Sequence, residues 1–390
     1  MVEATPASAD AQAAAQLPRG PAFAYFDGDE DAKARGLFRI LGEDGSCDPA
    51  DVAGFDRALV ERLYRGMVTI RVMDERLLAL QRQGRTSFYG EARGQEASVV
   101  GSAAAMQPAD WLVPALREAG AGIFRGLTLD SYVAQIFGNA NDVTKGRQMP
   151  CHPCDRDHNY VVMSSCVASQ IPHAVGVAMA MKTQGDSGRA CVGYMGDGAT
   201  SEPDFHVAMN FAGVFKAPVV LICQNNQWAI STPGTVQTAA ETIALKGVGY
   251  GVESLRADGN DVLAVHAVSS YALEKARRGD GPTLIELLTY RVSAHTSSDD
   301  PSRYRDESVT AVWRGERDPI ERIRRFMERR GWLDEAGHEA QMKSVEEEVR
   351  AVIARQDQVT TPAVSTLVED VYEDVPRHLR EQLDAYLARR

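Results

Sequence analysis

Between Val192 and Asn226 the chain reads VGYMGDGATSEPDFHVAMNFAGVFKAPVVLICQNN, and no other stretch limits the fold so tightly. Two apolar, β-branched runs of strand length, VGYM and PVVLIC, flank a segment with helical spacing. Phe205, Ala208, Met209, Ala212 and Phe215 repeat on one helical face. Ser201 and Asp204 suit a capping box, and Pro203 is tolerated in a first turn. The same alternation continues through GVESLR and TLIELLTYRV. Helices alternating with short strands predict an α/β fold, a doubly wound, mostly parallel sheet flanked by helices.

In such sheets ligands bind beyond the carboxyl ends of the strands, which places Asp197 and Asn226 at one crevice. Glycines after a buried strand point to close approach of the backbone to a phosphate, yet Asp197, between Gly196 and Gly198, would repel that phosphate. A cation between them removes the conflict. Two hard oxygen ligands and a backbone carbonyl suit Mg²⁺ gripping a diphosphate, and the N–H groups of Gly198 and Ala199 then meet phosphate oxygens. Glu202 and Asp204 already complement the helix dipole, so the phosphate does not sit squarely on that N-terminus. The bland reading is a tight GDG turn and an unrelated NN turn; their pairing after two successive strands favours the metal.

The net charge of -12 argues against a nucleic-acid surface, which needs clustered Lys and Arg. No apolar run reaches the ~20 residues of a membrane span. The first residues resemble neither a signal peptide nor an Arg-rich transit peptide, and Cys191 and Cys223 lie in apolar strand-like runs. Together these features lead to the expectation of a cytoplasmic protein. Residues 1–50, rich in Ala, Pro, Gly and Asp, read as an extended arm or partly disordered tail. Residues 51–318 read as the α/β domain and 319–390 as a helical segment, in which the charged stretch Glu339–Gln356 reads as a solvated face. Small residues from Ala168 to Ala180 suggest a helix packed closely on a neighbour.

GDG, 26 intervening residues and NN resemble the thiamine-diphosphate motif of the thiamine enzymes. From roughly Leu59 to Arg380 the chain resembles the alpha subunit of the decarboxylating component of 2-oxo acid dehydrogenase complexes. The matching stretches include SFYGEARGQEA, LREAGAGIFRG, GNANDVTKGRQMP, MSSCVASQIPHAVG, NNQWAIST, RADGND and TYRVSAHTSSDDPSRYR. The resemblance implies thiamine diphosphate and Mg²⁺ as cofactors. Asp197, Asn226 and the carbonyl of Trp228 match the Mg²⁺ ligands, and Arg117, Gly198, Ala199 and His295 face the diphosphate. Ser165, Val167 and Ile230 surround the pyrimidine and thiazolium, with Gly196 and Ala229 completing the cofactor set. Ser164, Cys166, Ser169 and Gln170 match a structural potassium loop. The implied catalytic residue is His295, whose ordinary pKa lets it exchange protons near neutrality.

Within the family the branched-chain type is the best match, implying 3-methyl-2-oxobutanoate dehydrogenase activity. Pyruvate members carry a histidine where this chain has Gly90; beside Phe88 and Tyr89 this reads as a roomier, more apolar pocket. Alternatives are a pyruvate or acetoin enzyme, or a non-catalytic scaffold subunit. The implied partners are a beta subunit, in an assembly of two alpha and two beta chains, and a lipoyl-bearing dihydrolipoyl acyltransferase core. Two departures stand out: Leu116 replaces the usual tyrosine before Arg117, and Gln224 replaces an arginine that contacts phosphate in some relatives. Arg291, Asp299, Asp300, Arg303 and Arg305 are expected to tie the loop after His295 by ion pairs, and Thr296 stands where mitochondrial relatives carry a regulatory serine. CHPC at Cys151–Cys154 lacks a second CxxC at finger spacing, so it reads as a loop at the site's mouth rather than a zinc site.

Overall fold

The structure, a computed structural model, describes residues 20–389. Five strands form its main sheet: β1 (Trp111–Val113), β2 (Cys191–Gly196), β3 (Val219–Asn225), β4 (Glu253–Asp258) and β5 (Thr283–Leu288). They lie in the order β1-β2-β3-β5-β4, every pair parallel. Four strands fall in the expected apolar runs. The fifth, β1, is the three-residue WLV, too short to show a period of two.

Alternate strand residues enter two separate cores, as the pleat requires. Val192, Tyr194, Val220 and Ile222 join one with α1 (Arg57–Arg82), α2 (Glu96–Ala104) and α6 (Val262–Arg277). Cys191, Met195, Val219, Leu221 and Cys223 join the other with α4 (Gln170–Thr183) and α5 (Pro203–Phe215). The sheet is therefore covered on both faces, as expected. The small-residue signal in α4 is explained by its approach to β2: a Cβ on Gly193 would lie 2.8 Å from that of Ala174.

Two local expectations for α5 are corrected. Its N-cap is Glu202, without a side-chain cap, because residues 197–201 form a 3₁₀ turn and the Ser201 hydroxyl donates to the Gln237 carbonyl (3.3 Å). Phe205, Ala208, Met209 and Ala212 are buried, but Phe215 is 48% exposed and packs on Phe211, with ring centroids 5.5 Å apart. Phe215 shares an exposed apolar face with Val207, Phe211 and Val214, and Lys216 then ends the helix in a left-handed conformation (φ 46).

Residues 20–50 are not an extended arm. A 3₁₀ turn (Pro21–Asp27) and a short helix (Glu30–Arg35) pack on the β4 edge, where Phe38 N donates to Arg256 O (2.9 Å) and Asp258 N to Phe38 O (3.0 Å). Phe23, Tyr25, Phe26 and Phe38 form one aromatic cluster, which gives this Gly- and Asp-rich stretch enough burial to order it. The part of the expected arm before residue 20 lies outside the described residues.

The C-terminal helices α7 (Pro319–Arg329) and α8 (Glu335–Asp357) lie against the domain, and α9 (Arg377–Leu387) follows. Within α8, Val345, Val349 and Val352 are buried at helical spacing, so the stretch expected as a solvated face has one packed stripe. Buried charge ties this segment to the sheet domain: Arg71 Nε lies 2.5 Å from Glu96 Oε1, and its NH2 group lies 3.0 Å from Asp318 Oδ2. Among the described residues no helix is long and apolar enough to cross a membrane. Removing one member of a buried ionic cluster strands the others, at about 3–5 kcal/mol. Arg71→Ala should therefore destabilise the protein by about that amount, read from the denaturation midpoint by tryptophan fluorescence; a change within a few tenths of a kcal/mol would show that the cluster does not hold the segment.

Candidate active site

The register of β2 and β3 sets Gly196 opposite Gln224, so both strands end at one level. Asp197 emerges from one and Asn226 from the other, beside a cavity of about 450 Å³. Arg117, Ser165, Val167, Gly196, Asp197, Gly198, Ala199, Asn226, Trp228, Ala229, Ile230 and His295 all line it. Of the expected potassium set, Ser164 and Gln170 line it and Cys166 and Ser169 do not. Ser169 Oγ instead closes its own loop onto Ser164 Oγ (3.0 Å) and Cys166 O (2.8 Å).

Asp197 is 2% exposed; its Oδ2 accepts from Gln237 Nε2 (2.8 Å), and its Oδ1 has no partner. Burial pushes its carboxyl up, only partly offset by the Gln237 hydrogen bond. A buried carboxylate oxygen left bare beside a cavity fits a cation as its partner. Asn226 Oδ1 accepts from Trp228 N (3.2 Å), which leaves a second lone pair, while its Nδ2 donates to Gln95 Oε1 (3.1 Å). The Trp228 carbonyl accepts from Arg291 (3.4 Å). No cluster of three His, Cys, Asp or Glu occurs among the described residues, so an ion at Asp197 must draw on amide and carbonyl oxygens and on its ligand. Gly198 is needed here for steric reasons, since a Cβ would lie 2.6 Å from that of Ala229.

One arginine lines the cavity and a second stands close to it. Arg117 is buried and donates to the carbonyls of Glu91 and His295. Burial, then the neighbouring Arg291, push its guanidinium down to about 10. Arg291 is itself lowered by burial, and its Nε has no partner. Two guanidiniums hydrogen-bonded to carbonyls and a hydroxyl rather than to carboxylates, one of them in the lining and one behind it, set local positive charge among the acids Glu118, Asp197 and Glu202. Burial and these same arginines push His295 down to about 4. Its expected proton exchange near neutrality is therefore corrected: the imidazole is neutral there, and only an anion beside it raises its pKa.

The loop carrying His295 is held differently from expectation. Arg305 donates to the carbonyls of Arg291 (2.6 Å), Val292 (2.9 Å) and Ser293 (3.1 Å), while Asp299 accepts from His295 N (2.7 Å) and Tyr304 Oη (2.5 Å). Hydrogen bonds to backbone do the work assigned to ion pairs. Gly90 does not add room, because Leu116 side-chain atoms lie 3.4 Å from where its Cβ would be. Tyr89 faces away and donates to Asp74 Oδ1 (2.7 Å). The apolar wall is made by Phe88, Leu116, Met149, Met163, Val167 and Ile230. His152 Nε2 lies 2.5 Å from Ser165 Oγ, and its Nδ1 lies 2.9 Å from Pro150 O, which fixes the histidine at the mouth.

Residues 64–365 match the family described as dehydrogenase E1 component. The chain belongs to that family. Dehydrogenase E1 components of this family depend on thiamine diphosphate. The 2-oxoisovalerate dehydrogenase subunit alpha 2, mitochondrial, of Arabidopsis thaliana is 40% identical over 359 residues, covering 92% of this chain and 76% of the relative. The corresponding mitochondrial alpha subunits of Caenorhabditis elegans and Mus musculus are 39% and 38% identical, covering 92% and 90% of this chain and 84% and 79% of theirs. The resemblance to branched-chain alpha subunits is thus borne out. The cytoplasmic expectation is overturned, since these relatives are mitochondrial proteins. Free thiols mark a reducing environment, not one compartment.

Sequence reasoning missed several residues that shape this dehydrogenase E1 component site. Gln237 reaches Asp197 from a loop without a motif. Gln95, with an unpartnered Nε2, and Glu118 line the cavity. Asp74, on α1, accepts from Tyr89 Oη and from Ala92 N (2.7 Å each). Tyr89 O in turn accepts from Ser297 N (2.9 Å), so Asp74 anchors the His295 loop through one intermediary. Burial, then the charge of Glu91, push the Asp74 carboxyl up to about 8. The folded protein then keeps a proton that the unfolded chain releases above pH ~4. That contribution is full below pH ~4 and is lost as pH rises through about 8. The melting temperature should fall across that window, and Asp74→Asn should flatten the fall; an unchanged slope would remove Asp74 as its source.

Proposed function

We propose that this chain is the alpha subunit of a branched-chain 2-oxo acid dehydrogenase that binds thiamine diphosphate through Mg²⁺ at Asp197, Asn226 and the Trp228 carbonyl. The observation that carries the reading is the bare, buried Asp197 Oδ1 at a cavity lined by Arg117, with Arg291 close to both and neither arginine in an ion pair among the described residues. When bound, thiamine diphosphate supplies the electron sink for decarboxylating a 2-oxo acid. The protein supplies position and charge. Asp197 and Asn226 hold the ion, Gly198 and Ala199 offer backbone N–H groups, and Arg117 with Arg291 sets a positive potential that needs no rearrangement. His295 presents a neutral imidazole able to donate to a diphosphate oxygen. Ser164, the Cys166 carbonyl, Ser169 and the unpartnered Gln170 Oε1 would hold K⁺.

The apolar wall of Phe88, Leu116, Met149, Met163, Val167 and Ile230 suits an aliphatic branch. Each methylene buried there is worth about 0.8 kcal/mol, so kcat/KM should be higher for 3-methyl-2-oxobutanoate than for pyruvate. The reverse order would defeat the branched-chain reading. A beta subunit completes the enzyme as two alpha and two beta chains, supplying the carboxylate that activates the cofactor's aminopyrimidine, and the acyl group passes to a lipoyl-bearing acyltransferase core. Boundaries near residues 50 and 318 separate the N-terminal, cofactor-binding and C-terminal parts.

Asp197→Ala should abolish Mg²⁺-dependent cofactor binding in calorimetry; parental affinity in that variant would refute the metal assignment. His295→Ala should weaken cofactor binding by about 1–3 kcal/mol and slow acyl transfer to a lipoyl domain more than decarboxylation with an artificial electron acceptor. Normal binding and parental acylation would reduce His295 to an ordinary loop residue.

A further inference from the structure

Glu118, the residue before α3 (Ala119–Arg125), and Gln224, near the end of β3, meet at the floor of the cavity. Each is 2% exposed. Gln224 Nε2 donates to Glu118 Oε1, and Gln224 Oε1 has no partner. Glu118 Oε2 accepts from Arg117 N (3.2 Å). Arg117 is the cation beside Glu118, and the phenols of Tyr160 and Tyr194 also face it. No ion pair to Glu118 forms among the described residues. Burial outweighs its backbone hydrogen bonds and Arg117, and pushes the carboxyl up to about 7.

A carboxyl–carboxamide pair has one shape and two proton arrangements. Ionised Glu118 must accept, so it captures the Gln224 NH2 and leaves the amide oxygen without a partner among the described residues, in the lining of the cavity. Neutral Glu118 gains an O–H able to donate into the Gln224 oxygen, which permits the amide to turn and present its NH2 to a phosphate in the cavity. The two states present opposite ends of one dipole to the same ligand.

We propose that Glu118 and Gln224 are a proton-coupled amide switch: Glu118 takes up one proton from solvent as the diphosphate binds, and Gln224 then turns its NH2 group to the phosphate oxygens. This rests on the thiamine-diphosphate reading above. It gives the neutral Gln224 a way to contact phosphate where some relatives carry arginine. Phosphate oxygens accept only from a Gln224 turned NH2-outward, and that orientation leaves its oxygen to the O–H of neutral Glu118, so the bound state holds the proton more tightly. Affinity is therefore flat below about pH 7 and falls up to tenfold per pH unit above it.

The test is calorimetric titration of thiamine diphosphate with Mg²⁺ into the full chain assembled with its beta partner, above pH 7, in buffers of different ionisation enthalpy. The parent should take up close to one more proton per site than Glu118→Gln, whose affinity should lose the tenfold-per-unit decline. Gln224→Arg should also abolish the uptake, because its guanidinium keeps Glu118 ionised, and should bind at least tenfold more tightly near pH 8. An infrared difference spectrum on binding should gain a carboxylic-acid carbonyl band that Glu118→Gln lacks. Equal proton uptake in the parent and in either variant overturns the switch and leaves the cofactor reading standing. Absence of binding by the parent overturns both.

Discussion

The in-register parallel pairing of β2 with β3 is the constraint on which the site depends. Gly196 lies opposite Gln224, so the turns that follow open at the same height. A slip of one residue would turn Val192 and Tyr194 towards α4 and send Cys191 and Met195 towards α2 and α6. The two layers are not interchangeable. The α4 side accepts only small contacts where Ala174 meets Gly193, whereas the other side is filled by Tyr194, whose hydroxyl lies 2.8 Å from Ser102 Oγ. Core packing thus fixes the register, and the register brings a carboxylate and an amide together.

The loops around that meeting point are held by arginines bound to main-chain oxygens. Arg117 grips Glu91 and His295, Arg291 grips Trp228 and Ile230, and Arg305 grips three consecutive carbonyls from Arg291 to Ser293. Each contact joins a charge to a dipole; Arg305 also pairs with Glu307 (3.7 Å), and of the three only Arg117 lines the cavity. A carboxylate at any of these places would have given similar order and removed the field. Structural support and electrostatic preorganisation come from the same side chains.

Much of this was legible in the sequence because it rests on local patterns. Period and glycine placement gave four of the five parallel strands and placed Asp197 and Asn226 at their ends, and the twelve expected cofactor residues surround one cavity. What stayed hidden depends on contacts between distant segments. Phe38 pairs with β4 from far upstream, Gln237 reaches Asp197 out of an unpatterned loop, and Leu116 fills the space beside Gly90. The pKa of His295 depends likewise on burial and on Arg117 from a distant segment, with Arg291 adding to it from four residues away. Compartment was misread because free cysteine reports redox chemistry rather than address.

Ile230 holds a left-handed backbone conformation (φ 54) while its side chain stands 53% exposed at the cavity. For a β-branched residue that conformation costs on the order of 1–3 kcal/mol, and the Arg291 bond to its carbonyl (2.7 Å) helps to impose it. Glycine or asparagine would relieve the strain at once. Isoleucine therefore sits here at a local backbone cost while presenting its side chain to the cavity rather than to the core, so the Arg291 bond holds an apolar group against the site.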